Sequence, residues 1–248
     1  MSDLITVTAD TVARDGFFCK MSARKTKAWA DKRDWLVARF EEGLQLRLLG
    51  AGQRGFIEFI PGASAWRAME RADDLVVIHC LWVVGKSKGQ GHARALLEEA
   101  EAWAKNNGFC GIAALISSGN WLVGKDILER RGYESVDQAA PGFDLMLKEF
   151  APGPAPRLCG GWEQKAAAMQ PGLAVLRSAQ CPYLEDAAAH AKAAAEELGL
   201  AFSDRVITSA SELRVLSPTP YGVFALAHDG RLLASHYLLK KDILKALA

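Results

Sequence analysis

The stretch from Val76 to Gly108, VVIHCLWVVGKSKGQGHARALLEEAEAWAKNNG, allows few folds. It opens as an apolar run with one polar insertion, His79, the pattern of a strand covered on both faces. A basic turn bearing Gly89 and Gly91 follows, and from His92 onward the apolar residues take up helical spacing. Glycines at such a turn supply positive φ and let main-chain amides approach an anion with no Cβ in the way. The helix dipole, its unpaired N–H groups and the charges of Lys86 and Lys88 then favour a pyrophosphate at the helix N-terminus. This strand–loop–helix unit places the chain among mixed α/β (α+β) proteins.

The spacing separates the known phosphate loops. A Walker loop needs Lys-Ser/Thr after its last glycine, and here His92-Ala93 follows; a dinucleotide fingerprint needs a third glycine at position 94, which is Arg. The run Lys86-Ser87-Lys88-Gly89-Gln90-Gly91 instead resembles the Gln/Arg-x-x-Gly-x-Gly/Ala signature of the GNAT superfamily of acyl-CoA N-acyltransferases, with Lys86 where Gln or Arg is usual. The resemblance implies acetyl-CoA as acyl donor. It implies main-chain contacts from Leu81, Trp82 and Val83 to the pantetheine arm. It also implies a pyrophosphate lined by Lys86, Ser87, Lys88, Gly89, Gln90, Gly91, His92 and Ala93, with Asn120 near the thioester arm. Leu128-Glu-Arg-Arg-Gly-Tyr133 resembles a further family segment, but Leu128 stands where many members carry a tyrosine that protonates the departing thiolate. A leucine has no proton to give, so that role does not carry over.

At 248 residues, half of them hydrophobic, the chain can form one large or two small cores. A net charge of +1 argues against a dedicated nucleic-acid binder. The local cluster Lys20, Arg24, Lys25, Lys27, Lys32 and Arg33 reads either as a solvated helix face or as a dock for an acidic ligand. No apolar run suits a membrane span, and MSDLITVTAD lacks the form of a secretory leader, so a cytoplasmic protein is expected. The five cysteines are scattered without CxxC or zinc spacing, which implies reduced thiols and no metal.

Ala151-Pro-Gly-Pro-Ala-Pro156 holds three prolines in six residues and marks a boundary. The expected division is 1–150, a linker over 151–165, and a smaller domain over 166–248. In the first part the patterning predicts a helix over 26–42, strands over 44–49 and 55–60 joined by Gly50-Ala51-Gly52, strand 76–84, helix 92–107, strand 110–116, a short helix 125–131 and a last strand 143–150. This is the order a GNAT fold would give. Beyond the linker the order is βαβαββα: strand 173–177, helix 184–198, a strand near 205–208, helix 212–216, strands 221–227 and 232–237, and helix 240–248. With Gln180-Cys-Pro-Tyr183 after the first strand and Thr219-Pro220 before the third, this half resembles the thioredoxin/glutaredoxin fold, and a cis bond at Thr219-Pro220 is expected from that resemblance. Taken with Gly55-Phe-Ile-Glu-Phe-Ile-Pro-Gly62 and Ala65-Trp-Arg67, the whole chain resembles the two-domain YoaP-like acetyltransferases.

Aminolysis of a thioester needs a base for the amine proton and donors for the oxyanion. His79 is the best-placed titratable group, and Glu58 on a neighbouring strand is the second; a buried, hydrogen-bonded pair is the alternative for both. Cys80 should point to the opposite face from His79, into the core. Cys181, expected at a helix N-terminus, has the setting of a lowered thiol pKa, but Leu184 replaces a resolving cysteine, which leaves only monothiol chemistry. Arg67 reads as a carboxylate anchor or a surface ion pair. The expected activity is transfer of an acetyl group from acetyl-CoA to a primary amine of a small-molecule or peptide acceptor, with a homodimer compatible. The rival is a thiol-reactive or redox-sensing protein using Cys181, with a CoA-binding half of weak activity.

Overall fold

A computed structural model describes residues 3–50 and 52–248. Met1 and Ser2, the start of the segment read for a leader, and Ala51 of the Gly50-Ala51-Gly52 turn lie outside the described residues. The chain divides into two units: residues 3–24, 33–65 and 69–158 form the first, and Lys25–Lys32, Trp66–Ala68 and Cys159–Ala248 the second.

The first unit is built on a seven-stranded sheet. Its elements are β1 (Leu4–Val7), α1 (Val12–Asp15), α2 (Lys27–Glu41, begun in the second unit), β2 (Gln45–Leu49), β3 (Gly55–Pro61), β4 (Met69–Glu70), β5 (Leu75–Val83), α3 (His92–Asn106), β6 (Gly111–Ser117), α4 (Lys125–Glu129), β7 (Glu134–Ala139), β8 (Phe143–Glu149) and β9 (Arg157–Leu158). The sheet order is β1-β2-β3-β5-β6-β8-β7, and β5–β6 is its one parallel pair. A parallel neighbour requires a crossover, and α3 supplies it. Its Leu96, Leu97, Ala100 and Ala104 form one buried face against Ile57, Phe59, Val76, Ile78, Ile112 and Ala114 of the sheet. Burying each of the two leucines is worth roughly 2 kcal/mol. The residues expected to link two domains hold β9, which pairs antiparallel with β4 through Met69↔Leu158 and Glu70↔Arg157.

In the second half of α3, Glu101 is buried among cations: Arg131 reaches it at 2.7 and 2.9 Å and Lys148 at 2.8 Å. Burial pushes this carboxyl upward, but the hydrogen bonds from Arg131 and Lys148 outweigh it and hold the pKa below the ordinary value of 4.5. Burial also keeps the nearby Tyr133 phenol well above its usual range. The network ties α3 to β8 and to the turn after α4.

The second unit comprises α5 (Trp162–Ala167), β10 (Leu173–Arg177), α6 (Leu184–Leu198), β11 (Phe202–Val206), α7 (Ala210–Leu216), β12 (Phe224–His228), β13 (Arg231–Ala234) and α8 (Lys240–Leu247). Its sheet order is β11-β10-β12-β13, with β10 and β11 parallel and the other pairs antiparallel. Leu184, Ala187, Ala188, Ala191, Ala194 and Ala195 make the buried stripe of α6. The Ser209 hydroxyl caps α7 by accepting from Glu212 N–H at 3.1 Å. Arg177 is held between Glu185 (2.8 Å) and Asp204 (2.9 Å), which fixes β10 against β11 and the start of α6.

One expectation is corrected. Thr219–Pro220 is trans; the cis peptide among the described residues is Ala140–Pro141. The Ser217 hydroxyl donates to Thr219 O at 2.7 Å and accepts from Thr219 N–H at 3.3 Å, a turn that holds the segment as it stands. Among the described residues no helix is long and apolar enough to cross a membrane.

Because the folded pKa of Glu101 is lowered, its stabilisation is complete above the unfolded value and is lost as pH falls through the lower folded value. Glu101→Gln is expected to cost roughly 3 kcal/mol at pH 7. Thermal melts should show the gap to wild type narrowing as pH falls below the ordinary value of 4.5.

Candidate active site

The site begins with a register fault. Across β3 and β5, Glu58 faces Cys80 while Phe59 faces Ile78, so His79 is an extra residue inserted into the register. A bulge of this kind bends its strand and increases the local twist. Beyond it, β5 leaves β6: their ladder runs from Leu75↔Gly111 only to Ile78↔Ala114, although β5 continues to Val83 and β6 to Ser117. On its other side β5 stays paired with β3 as far as Val83↔Gly55. Leu81, Trp82 and Val83 therefore present main chain without a ladder partner toward the opening between the strands.

A cleft of about 590 Å³ occupies this opening. Leu81, Trp82 and Val83 line one wall; Ser87, Lys88, Gly89, Gly91, His92, Ala93 and Arg94 form the loop and first turn of α3; Leu122, Val123, Gly124, Ile127 and Arg130 close the other side. Its lining carries Lys88, Arg94, Arg130 and His92, and no carboxylate. The N-cap of α3 is Gly91, no side chain caps the helix, and no acidic residue sits in its first turn. Both dipole and side chains thus make the cleft receptive to anions. Gly89 and Gly91 adopt φ of 76° and 79°, and a Cβ built on either would meet no atom within 4 Å. The loop accordingly needs glycine for its backbone and offers open space above it for a ligand.

Nine of the residues expected to meet the cofactor come together here: Leu81, Trp82, Val83, Ser87, Lys88, Gly89, Gly91, His92 and Ala93. Lys86 and Gln90 are exposed on the same loop, where the Gln90 carboxamide donates to Lys86 O at 2.6 Å, and neither lines the cleft. Asn120 is buried beyond the end of β6 and is likewise not in the lining. Its neighbour Trp121 is exposed and meets Trp82 edge to face at 6.2 Å. Arg94 and Arg130 escaped the sequence reading. Arg94 lies one turn position past the motif, and Arg130 was seen only as part of a family segment. Leu128 points into the core and Ile127 lines the cleft, so the helix offers no proton donor at either position. Asp144 anchors that helix by accepting from Lys125 Nζ at 2.9 Å, and it also accepts from the Ser135 hydroxyl of β7.

His79 and Glu58 meet in the fully enclosed space under the bulge. His79 Nδ1 lies 3.3 Å from Glu58 Oε1, ion-pair range without the alignment of a good hydrogen bond, and their side chains are 0% and 2% exposed. The Trp35 ring lies 6.2 Å from the imidazole. Trp29 and Trp35 of α2 are both buried. Cys80 is half-buried.

Arg67 and Cys181 belong to the second unit. Arg67, expected at the surface, is 1% exposed: it donates to Trp66 O at 2.7 Å and to Gln180 Oε1 at 3.0 Å, and stacks 5.3 Å from the Tyr221 ring. Cys181 is partly exposed, three residues before α6 begins.

The sequence model of the Acetyltransferase (GNAT) family matches residues 16–120. Over 233 residues, 92% of this chain and 91% of the relative, the sequence is 30% identical to the uncharacterized N-acetyltransferase YoaP of Bacillus subtilis (strain 168). The chain belongs to the GNAT acetyltransferase family. Solved structures similar to this acetyltransferase include the PaiA N-acetyltransferase of Thermoplasma acidophilum in complex with coenzyme A (14% identity, 60% of this chain and 99% of that one, TM-score 0.41). A GNAT family acetyltransferase of Brucella melitensis in complex with acetyl-CoA is another (12% identity, 62% and 93%, TM-score 0.38). GNAT acetyltransferases take acetyl-CoA as acetyl donor, and the carboxylate-free cleft of this acetyltransferase suits that polyanion.

Gly91→Glu should fold, at a cost of about 1–2 kcal/mol for a side chain at positive φ. Its carboxylate would enter the cationic cleft at the N-terminus of α3, and like charges about 4 Å apart repel by about 4 kcal/mol in surroundings of intermediate dielectric. Calorimetric titration of CoA should therefore show affinity reduced at least about a hundredfold.

Proposed function

We propose that this enzyme acetylates a primary amine directly, binding acetyl-CoA along the edge of β5 and over the N-terminus of α3. The observation that carries the reading is the divergence of β5 from β6 at His79, which opens unpaired main chain beside a cationic, carboxylate-free cleft. In this reading Leu81, Trp82 and Val83 pair with the amide-bearing arm. Lys88, Gly89, Gly91, His92 and Ala93 hold the pyrophosphate, with Lys86, Ser87 and Gln90 shaping the loop and Arg94 and Arg130 adding charge. Asn120 orients the arm from the end of β6. The bound cofactor supplies an activated acetyl group; the protein's part is to place it and to manage the amine's proton.

The proton is assigned to the Glu58–His79 pair, which sits where the strands part. A carboxylate beside the imidazole can orient the ring and share the proton it takes up. Since both side chains are enclosed, the proton passes to them through the acceptor or a bound water rather than from bulk solvent. No group at Ile127 or Leu128 can protonate the thiolate, so its departure as the anion, close to the positive end of α3, fits this chain.

Residues 1–150 are assigned to the acetyltransferase domain and 166–248 to a thioredoxin-like domain, joined through 151–165. The βαβαββα order and the strand order β11-β10-β12-β13 support the second assignment. The trans Thr219–Pro220 bond and the lone Cys181 depart from redox members of that fold, and no observation favours the thiol-sensor reading. The proposed part of Cys181 is recruitment of a thiol-bearing acceptor. Equal turnover by wild type and Cys181→Ser on thiol-bearing and thiol-free amines would overturn that role.

A panel of small amines, amino acids and peptides, followed by thiol release from acetyl-CoA, should reveal the acceptor class. With the best substrate, His79→Gln and Glu58→Gln are each expected to lower kcat about a hundredfold, the scale of a lost general base. The double variant should be little worse than either single one. Unchanged kcat, or a strictly additive double variant, would leave the pair a structural one.

A further inference from the structure

The turn between β2 and β3 lies far in sequence from the phosphate loop, yet it supplies a single atom on which that loop converges. Gln53 Oε1 accepts from Ser87 Oγ at 2.9 Å and lies 3.1 Å from His92 Nε2, across 34 and 39 residues of chain. The Ser87 hydroxyl also accepts from the Arg54 N–H at 2.9 Å, and Arg54 O accepts from Val84 N–H at 3.0 Å. Ser87 and His92 stand at the two ends of the loop: one closes the turn after β5, the other is the first residue of α3. Both are buried, and both line the cleft.

The chemistry of the shared atom fixes the state of its neighbours. A carboxamide oxygen only accepts, so both bonds point hydrogens toward Gln53. The single hydrogen of Ser87 is thereby committed to Gln53, and the Nε2 of His92 carries a hydrogen. An anion above the loop is left to the main-chain amides and the cations, with the serine hydroxyl turned away as a strut. Gly85, Gly89 and Gly91, all at positive φ, make this loop costly to order from its own residues alone. A brace from outside the loop lowers the freedom the loop must lose when a ligand arrives.

We propose that Gln53 is a positioning residue for the pyrophosphate loop, holding Ser87 and His92 in register so that the first turn of α3 is ordered before the cofactor binds. This rests on the reading of the cleft as the CoA site. Gln53 touches neither the reacting atoms nor the thioester arm, so its effect falls on the phosphate-bearing half of the ligand.

The test uses the full-length protein and two probes, coenzyme A and pantetheine, the latter lacking both pyrophosphate and nucleotide. Gln53→Met keeps the length and bulk of the side chain and removes the acceptor. Calorimetric titration of coenzyme A is expected to show binding about tenfold weaker than wild type, the scale of one or two lost hydrogen bonds. Pantetheine binding, followed by ligand-observed NMR, should change less than about twofold, because that fragment does not reach the loop. Combining Gln53→Met with His92→Ala should weaken coenzyme A binding by much less than the product of the single effects, since Gln53 acts through His92. Wild-type affinity in Gln53→Met overturns the proposal. So does an equal loss for both probes, which would mark a general defect, and so does a fully multiplicative double variant. Should Gln53→Met melt below the assay temperature, Ser87→Ala, which removes one of the two struts, must show the same probe-selective loss, and its failure to do so is equally decisive. Absence of coenzyme A binding in the wild type would overturn the reading of the cleft itself and is thereby told apart from a failure of the brace.

Discussion

One extra residue in one strand governs the first unit. With His79 set between the Glu58↔Cys80 and Phe59↔Ile78 pairs, β5 cannot remain hydrogen-bonded to both neighbours along its length. It keeps β3 and gives up β6. The cost is a few main-chain pairs, each worth about 1 kcal/mol net. The core under α3 outweighs this, because Leu96, Leu97, Ala100 and Ala104 clamp the strands where they are still together. The same residue that forces the strands apart is the imidazole enclosed beside Glu58, so the opening and its titratable pair arise from a single local irregularity.

Charge is distributed with a consistent sense around that opening. The acidic side chains of α3 begin past its first turn, where Glu98 is bridged by Arg94 and Arg131 and Glu101 is enclosed by Arg131 and Lys148. The near end keeps only cations, amides and glycine. A helix whose negative side chains gathered at its N-terminus would be more stable in isolation. Here that stabilisation is given up at the end that borders the cationic cleft.

The features visible in the sequence are those with a short-range cause. β5 and α3 have strong patterning, and the structure puts them at Leu75–Val83 and His92–Asn106, within a residue of the limits inferred from periodicity. The strands β1 and β7 have no such signature. β7 reads Glu-Ser-Val-Asp-Gln-Ala, mostly exposed at the sheet edge, and exists because β8 offers it a partner. β11 is shifted to Phe202–Val206 for a similar reason, since its register is set by pairing with β10 rather than by its own alternation. In the site, the glycines and lysines of the loop were legible because the motif is contiguous. The bulge, the brace at Gln53 and the approach of Arg130 depend on contacts between segments far apart in sequence, and no pattern in one segment encodes them. Arg67 shows the limit from the other side: a charged residue between Trp66 and Ala68 gave no sign that a buried carboxamide, Gln180, waits 113 residues later.

The make-up of the second unit bears on how the chain is produced. Trp66–Ala68 belong to it, with Ala68 donating to Pro220 O at 3.1 Å and accepting from Cys159 N–H at 2.9 Å. On the ribosome these three residues emerge more than 150 positions before Pro220 and must wait for it, so the second unit closes only when translation is nearly over. The proline-rich stretch at 151–156 looks like a place to divide the protein, but a gene fragment cut there would part a buried guanidinium from its carboxamide. Neither piece of such a cut would hold the complete second unit, because Trp66–Ala68 would be left on the other fragment.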